Sequence, residues 1–156
     1  MKPTPKRKVY LDPLHSIGYL ARINFRAFSR ELEKLTITQG VTAGQWRFLR
    51  VLWEQDNITQ RELSNRVGTK EASTVRAVKG LVKSGFVSRK QSSEDKRKYH
   101  IVLTPKARRL QEKLIPMVVT VNERALKGLS KKDIDTARRV LVQTYNNLQT
   151  KAGEKK

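Results

Sequence analysis

The part of the chain that most restricts its fold lies between Thr42 and Leu103, where signals for helix starts and helix ends follow one another closely. Two threonines each stand three positions before a Gln or Glu, the spacing of a capping box: Thr42 with Gln45, and Thr59 with Glu62. Gly68 and Gly85 follow apolar runs, and glycine readily adopts the left-handed conformation that ends a helix. The spacing therefore predicts three short helices in succession.

Two β-strands are predicted directly after the third helix. Phe86–Lys90 and Tyr99–Leu103 are short runs that contain β-branched and aromatic residues. The residues between them are polar and charged, as in an exposed turn. The segment is therefore predicted to fold as three helices followed by a two-stranded hairpin.

The second and third helices fit a helix-turn-helix motif. They are predicted over Thr59–Val67 and Lys70–Ser84, joined by the tight turn at Gly68, and Thr69 is predicted to cap the later helix. In this motif the later helix, the recognition helix, enters the major groove of DNA. Its inner face is predicted to carry Ala72, Val75, Val78, Leu81 and Val82.

Candidate DNA contacts come from the outward positions of the recognition helix and from the two helix starts. Small or donor-rich side chains there can approach base edges, and backbone N–H groups at helix starts favour phosphate oxygens. The predicted contacts are Thr59, Gln60, Lys70, Ser73, Thr74, Arg76, Lys79 and Lys83. The alternative is that these polar side chains simply face water.

The hairpin that follows a recognition helix is called a wing, and its tip lies beside the duplex. Arg97, flanked by Lys96 and Lys98, is predicted to enter the minor groove, which is narrow and electronegative. Asp95 is predicted to shape the turn by accepting backbone N–H groups and by pairing with Arg89, itself a candidate DNA contact. The alternative reading of Asp95 is an ordinary turn residue.

The charge of the chain supports a polyanionic partner. Lys and Arg total 34 against 14 Asp and Glu, which gives a formal net charge of +20. Each phosphate that Lys or Arg neutralises releases a counterion, so such a chain binds nucleic acid favourably. RNA and anionic membranes are the competing polyanions. The alternative is a protein that is basic but has no polyanionic partner.

Several functional classes are disfavoured by the inventory of residues. The chain has no cysteine, which excludes disulfides, thiolate catalysis and cysteine-zinc sites. No phosphate-cradling glycine loop, metal-ligand cluster or nucleophile-base constellation is recognisable, so neither an enzyme nor a cofactor is expected. No apolar run approaches the roughly 20 residues that span a bilayer, and no signal-peptide core follows the basic N-terminus. A soluble cytoplasmic protein without a membrane partner is therefore expected.

Long helices are predicted on both sides of the winged segment, over 13–35 and 105–149, with a kink at Pro116 and a second helix start at Ser130. Their apolar residues recur every three or four positions, as in Leu14, Ile17, Ala21, Phe25, Phe28, Leu32 and Leu35. The last helix repeats the pattern with Ile134, Ala137, Leu141, Tyr145 and Leu148. One small winged domain cannot cover both ends, so a second copy of the chain is predicted to do so. An intramolecular helical cap is the alternative.

The order of these features resembles the MarR family of transcription regulators. The resemblance rests on Leu63, Gly68, Arg76, Leu81, Gly85, Arg89, Asp95-Lys96-Arg97 and Leu103-Thr104, and it extends from about Pro13 to Leu148. One departure is Lys106-Ala107, where many relatives have glycine after the threonine. The resemblance implies a single domain over 1–156 that is mainly α with a two-stranded β-wing. Residues 42–104 would form the winged helix-turn-helix, and 13–35 with 105–149 the dimerisation helices.

The same resemblance implies a homodimer that binds a palindromic operator in double-stranded DNA, most often a repressor released by a small ligand. Relatives bind aromatic carboxylates or phenolic compounds between the dimer helices and the winged domain, and some sense an acyl-CoA thioester. The candidate ligand residues are Arg22, Phe25, Arg26, Phe28, Trp46, Arg47, Leu49 and Arg50. The alternative is that the aromatic residues among them are core. The competing function is a sequence-neutral architectural protein that binds nucleic acid, which the charge also permits.

Overall fold

The computed structural model describes residues 12–92, 95 and 99–149, and the chain divides into two compact units, residues 1–121 and 122–156. The described residues form a mainly α fold with a small β-sheet, as predicted. In chain order the helices and strands are α1 (Ile17–Thr36), α2 (Ala43–Glu54), β1 (Ile58–Thr59), α3 (Gln60–Val67), α4 (Glu71–Lys83), β2 (Val87–Gln91), β3 (Tyr99–Leu103), α5 (Pro105–Leu126) and α6 (Lys131–Leu148).

The sheet has three strands where two were predicted. Its order is β1-β3-β2, and both neighbouring pairs are antiparallel. The unpredicted strand β1 pairs Ile58 with Ile101, and both side chains are buried. Strand β2 begins at Val87, one residue later than predicted, because Phe86 is a buried core residue at the end of the preceding turn.

Both capping boxes predicted from the sequence are confirmed. At the start of α2, the Gln45 backbone N–H donates to Thr42 Oγ1 (3.2 Å) and the Thr42 N–H donates to Gln45 Oε1 (3.1 Å). At the start of α3, the Glu62 N–H donates to Thr59 Oγ1 (3.2 Å) and the Thr59 N–H donates to Glu62 Oε2 (2.8 Å). Each box satisfies backbone donors that have no partner within the helix.

The turn of the helix-turn-helix is fixed by one glycine and one buried hydroxyl. Gly68 ends α3 with a φ of 71°, in the left-handed region where glycine carries no steric penalty. The Thr69 N–H donates to the Ser64 carbonyl (3.1 Å), and the buried Ser64 hydroxyl donates to the Thr69 carbonyl (2.7 Å). These bonds hold α3 and α4 in a defined relative orientation.

The recognition helix α4 is rotated relative to the prediction. Its buried residues are Thr74, Val78 and Leu81, whereas Ala72 and Val82, which were predicted to face inward, are exposed. Its N-cap is Lys70, without a side-chain bond, and not Thr69. The inner stripe follows steps of four and three, as helical geometry requires, but a threonine occupies one of its positions.

The core of the first unit joins α2, α3, α4, the sheet and the first half of α5. Large side chains that are fully buried there include Leu49, Leu52, Leu63, Leu81, Ile101 and Leu114. Burying each such side chain contributes about 1.5–3 kcal/mol to the free energy of folding. The packing fixes the sheet against the helix-turn-helix.

The first turn of α5 is tied to the end of α4. Thr104 Oγ1 donates to the Gly85 carbonyl (2.8 Å), and Lys106 Nζ donates to the Ser84 carbonyl (2.9 Å). The Lys106 ammonium also lies 4.7 Å from the centroid of the Phe86 ring. Lys106 therefore joins the start of α5 to the end of the recognition helix.

The same turn of α5 is also tied to α2 and to the loop after it. Trp53 Nε1 donates to the Ala107 carbonyl (3.0 Å). Asp56 Oδ1 accepts from the Leu103 N–H (2.9 Å), and Asp56 Oδ2 pairs with Arg108. The start of α5 is thus bonded to the helix before the helix-turn-helix and to the last strand of the sheet.

The flanking helices differ in detail from the prediction. Residues Pro13–His15 form a 3-10 turn, and α1 begins only at Ile17, because Ser16 Oγ accepts from the Tyr19 N–H (3.2 Å). The helix α5 begins at Pro105 as predicted and continues through Pro116 to Leu126.

Much of the predicted apolar pattern of the flanking helices is exposed. At the N-terminal end Leu14, Ile17 and Phe25 are at least half exposed, and only Leu32 of that stripe is buried. On α6 Leu141, Val142, Tyr145 and Leu148 are also at least half exposed. These side chains do not serve the core of a single chain.

Candidate nucleic-acid interface

The outward face of α4 carries one small residue and three cations. Ala72, Arg76, Lys79 and Lys83 are all exposed and follow steps of four, three and four, so they lie along one side of the helix. This side is opposite the buried Thr74, Val78 and Leu81. The predicted contacts Arg76, Lys79 and Lys83 are thus brought together on one surface.

Thr74 is a correction to the predicted set of DNA contacts. Its side chain is fully buried, and its hydroxyl donates to the Lys70 carbonyl at 3.4 Å. A buried hydroxyl with an internal partner cannot reach a base or a phosphate. Ala72 takes the outward position instead, and an exposed alanine was missed because its apolar character favoured the core assignment.

Ser73 lies on the flank of α4 that faces α2. It is half-buried and lines an open groove of about 270 Å³ together with Thr42, Gly44, Gln45, Arg47, Phe48, Thr69, Ala77 and Gly80. Lys70, at the N-cap, is exposed. Both predicted residues therefore flank the outward face without lying at its centre.

The start of α3 meets the base of the wing. Arg89 on β2 donates from Nη2 to Gln60 Oε1 (3.0 Å), so two predicted contacts that are 29 positions apart are adjacent. Thr59 is half-buried, and its hydroxyl donates to Glu62 Oε2 (2.6 Å). The Thr59 hydroxyl therefore already has its hydrogen-bond partners in the capping box.

An open groove of about 680 Å³ lies between α3, the start of α4 and the sheet. It is lined by Thr59, Gln60, Arg61, Glu62, Glu71, Arg89 and Tyr99. Arg61 Nε is 3.8 Å from Glu71 Oε1 in an exposed ion pair. Arg61, Glu71 and Tyr99 were not among the predicted site residues, because nothing in the local sequence indicated that they would line one groove.

The electrostatics of this groove include one perturbed carboxyl. The Thr59 hydroxyl, and then the Thr59 backbone N–H, donate hydrogen bonds to Glu62 and lower the pKa of its carboxyl. Hydrogen bonds to the charged form favour ionisation. Glu62 therefore keeps its charge, and the capping box, at neutral pH.

The wing tip lies mostly outside the described residues. Lys96, Arg97 and Lys98, which were predicted to contact DNA, are among the residues that the structure does not describe. Asp95 is half-buried, and its backbone N–H donates to Ser92 Oγ (3.3 Å). The predicted role of Asp95 in shaping the turn stays a prediction.

The candidate ligand residues divide into an exposed group and a core group. The Arg47 guanidinium lies 5.8 Å from the centroid of the Phe25 ring, which is 54% exposed. Arg22, Arg26 and Arg50 are exposed, and Arg22 lies over the Tyr19 ring at 5.2 Å. Arg47 thus places a cation beside the exposed Phe25 ring.

The remaining candidates belong to the hydrophobic core of the first unit. Leu49 is fully buried, Trp46 is nearly so, and its ring centroid is 5.6 Å from that of Trp53. Phe28 is half-buried and packs against this core. Trp46 and Leu49, which were predicted on α2 as ligand contacts, are thus core residues in the single chain. This agrees with the alternative interpretation of the sequence.

Two further kinds of feature are absent from the described residues. Within 12–92, 95 and 99–149 no group of three or more His, Asp or Glu residues could hold a metal ion. Among the same residues, no helix has the length and apolarity to cross a membrane.

Comparison with known proteins assigns the chain to a family. The model of the MarR family matches residues 41–99, which contain α2, β1, the helix-turn-helix and β2 and end at the first residue of β3. The organic hydroperoxide resistance transcriptional regulator of Bacillus subtilis is 24% identical over 136 residues, which cover 87% of this chain and 89% of the relative. The chain belongs to the MarR family.

Solved structures share the fold beyond the matched segment. A MarR transcriptional regulator from Methanosarcina mazei superposes with a TM-score of 0.77 at 25% identity, covering 85% of this chain and 96% of the other. CouR from Rhodococcus jostii, solved with bound p-coumaroyl-CoA, superposes with a TM-score of 0.76 at 20% identity, covering 89% and 98%. As a MarR protein, the chain is a DNA-binding transcriptional regulator with a winged helix-turn-helix fold.

Proposed function

We propose that the chain acts in the cytoplasm as a homodimeric repressor that binds an inverted-repeat operator in double-stranded DNA. The observation that carries the proposal is the outward face of α4, where Arg76, Lys79 and Lys83 are exposed around the small Ala72. A recognition helix needs such a face to enter the major groove, and the net charge of +20 supplies long-range attraction to phosphates.

Exposed apolar residues support the homodimer. Phe25 on α1 and Leu141, Tyr145 and Leu148 on α6 are at least half exposed in the single chain. A second copy that covers these side chains removes them from water, and a two-fold axis then places two recognition helices about one DNA turn, roughly 34 Å, apart. An operator with two-fold symmetry follows from that arrangement.

A competition assay tests operator binding. The DNA upstream of the protein's own gene is labelled and challenged with random duplex at several salt concentrations. The proposal expects a specificity ratio of at least about 10³ at physiological salt. A ratio near unity at every salt concentration would instead establish the second candidate, a sequence-neutral architectural protein, which the net charge alone supports.

We further propose that an aromatic carboxylate or its CoA thioester releases the protein from DNA. The support is the exposed Phe25 ring beneath Arg47, with Arg22, Arg26 and Arg50 nearby in sequence. Arginine forks bind carboxylates and phosphates well, and the ring offers a face for stacking. CouR, which shares the fold, binds an aromatic acyl-CoA.

The proposed switch is a change in the spacing of the two recognition helices. A ligand can drive such a change only through its different affinity for the two forms of the protein. The test uses p-coumarate, p-coumaroyl-CoA and CoA alone as probes, in thermal-shift and operator-binding assays. A ligand that binds the native state raises the melting temperature, and operator affinity should fall with it. Binding that leaves operator affinity unchanged would reject the switch.

A pair of variants locates the ligand site. Arg47→Ala should reduce the thermal shift, because it removes the cation over Phe25. Arg109→Ala on α5 changes the net charge equally at an exposed position and serves as the control. Equal thermal shifts in both variants would place the ligand elsewhere.

A further inference from the structure

Glu71 is an exposed acidic residue at the start of the recognition helix, and the cations Arg61 and Arg89 line the same groove. Glu71 lies in the first turn of α4, its side chain is 64% exposed, and it lines the groove of about 680 Å³ together with Arg89. A carboxylate close to phosphates weakens binding to every DNA sequence alike, because like charges repel. At this position the Glu71 carboxylate therefore lowers the affinity for DNA, unless a contact with a base offsets the repulsion from the phosphates.

The bases offer a specific partner for a carboxylate. Residues in the N-terminal part of a recognition helix reach base edges in the major groove. A glutamate accepts a hydrogen bond from the N4 amino group of cytosine, whereas the exposed edge of guanine presents acceptors. On the basis of the DNA-binding function proposed above, we propose that Glu71 is a specificity-determining residue that recognises a cytosine in the operator.

Arg61 lies beside this carboxylate. Its Nε is 3.8 Å from Glu71 Oε1, and its side chain is 81% exposed. An ion pair this exposed adds little to stability. The pair joins α3 to α4 across the turn of the helix-turn-helix, and both residues line the groove between the two helices and the sheet.

The test is a selection of binding sites from randomised duplexes with the full chain. Three proteins are compared: the wild type, Glu71→Ala and Glu71→Gln. Glu71→Ala should lose the preference for cytosine at one position in each half-site by roughly five- to 100-fold, and its affinity for random duplex should rise. Glu71→Gln should move the preference at that position from cytosine to adenine, since glutamine bonds to adenine N6 and N7.

A matched control separates recognition from charge. Glu112→Ala removes one exposed carboxylate from α5 and should leave the selected sequence unchanged. Thermal melting of each variant shows whether the fold is retained. A change in helix stability alone does not shift the base preference while the melting temperature stays the same.

The failure of this inference is distinguishable from the failure of the proposed function. If the wild type enriches no sequence, the operator-binding function fails and the inference fails with it. If the wild type enriches a site and both Glu71 variants enrich the same bases, operator binding stands and the role of Glu71 is rejected. A loss of preference at all positions, with lowered melting temperatures in both variants, also rejects it, because that is a folding effect.

Discussion

Arg76 lies at the middle of the outward face of α4, one turn after Ala72 and one turn before Lys79. The guanidinium can bond to O6 and N7 of one guanine at the same time, whereas a lysine beside it acts mainly as a point charge on phosphate. Base recognition and phosphate attraction are therefore assigned to different side chains of one helix.

Arg76→Ala should lower operator affinity by about 1–3 kcal/mol and relax the preference at one base position. Lys79→Ala, on the same face, should weaken binding to all sequences alike and reduce the salt slope by about one unit. Fluorescence anisotropy with the operator and with duplexes substituted at single positions measures both effects. An equal loss on every duplex for Arg76→Ala would remove Arg76 from the base-reading residues.

At the scale of single residues, the sequence predicted the outward cations and failed for Thr74 and Ala72. The helical period does not fix which face of a short helix is buried when small residues stand at its start, because Ala and Thr are found on both buried and exposed faces. The structure settles the rotation through long-range packing, since the Thr74 hydroxyl has a partner in the Lys70 carbonyl and can be buried. Glu71 was missed for a similar reason, because its neighbours in the groove come from α3 and the sheet.

At the scale of helices and strands, local signals predicted the capping boxes and the glycine turn but not the starts of α1 and α4. Both capping boxes and the glycine turn were read correctly, because each depends on residues within a few positions of one another. Strand β1 could not be predicted, since two residues carry no periodicity and its existence depends on pairing with β3 more than 40 positions away.

The capping box at the start of α3 makes stability depend on pH. Because the pKa of Glu62 is lowered in the folded state, the carboxylate contributes stability above its usual pKa, and this contribution is lost as the pH falls through the folded-state value. Thr59→Ala should cost about 1 kcal/mol at neutral pH. The stability difference between the wild type and Glu62→Gln should shrink on acidification.

Urea unfolding at neutral pH and at about pH 3 measures both effects on the cap. Glu112→Gln is the control for the pH dependence, because it removes an exposed carboxyl from α5 without affecting a cap. A difference between the wild type and Glu62→Gln that stays constant over this range would contradict the role of the ionised carboxylate.

The bond from α5 to the end of α4 offers a second test at this scale. Lys106→Met keeps much of the side-chain length but removes the bond to the Ser84 carbonyl and the cation over Phe86. The free energy of unfolding should fall by about 1–2 kcal/mol. Arg109→Met, which removes an exposed cation from the same turn, should change it by less than about 0.5 kcal/mol. Equal decreases in the free energy of unfolding for the two variants would show that Lys106 affects stability only through its charge.

At the scale of the whole molecule, the DNA partner class followed from charge and motif order, and the family followed from the resemblance of the residues between Leu63 and Thr104. The identity of the effector could not be predicted from the sequence, because the effector site depends on which helix faces meet in three dimensions. Trp46 and Leu49 show the difficulty, since aromatic and aliphatic residues at helical spacing fit a core and a ligand cavity equally well in sequence.

The proposed dimer can be tested on α6. Leu141→Glu places a charge on an exposed apolar stripe and should shift a dimer towards monomers, because a buried unpaired charge is costly. Asn146→Glu introduces the same charge at another exposed position of the helix and should leave the assembly unchanged. Sedimentation velocity over a range of concentrations measures the outcome. A monomeric wild type, or dimers that persist in Leu141→Glu, would argue against this interface.

Both tryptophans of the chain, Trp46 and Trp53, stand on α2 with ring centroids 5.6 Å apart, and the Trp53 indole donates to the Ala107 carbonyl at the start of α5. Any rearrangement that slides α5 past α2 stretches this bond and alters the polarity around one of the two emitting rings. The unlabelled protein therefore contains its own optical reporter, and the wavelength of its intrinsic fluorescence can follow effector binding in real time, with no dye attached to the surface that meets DNA.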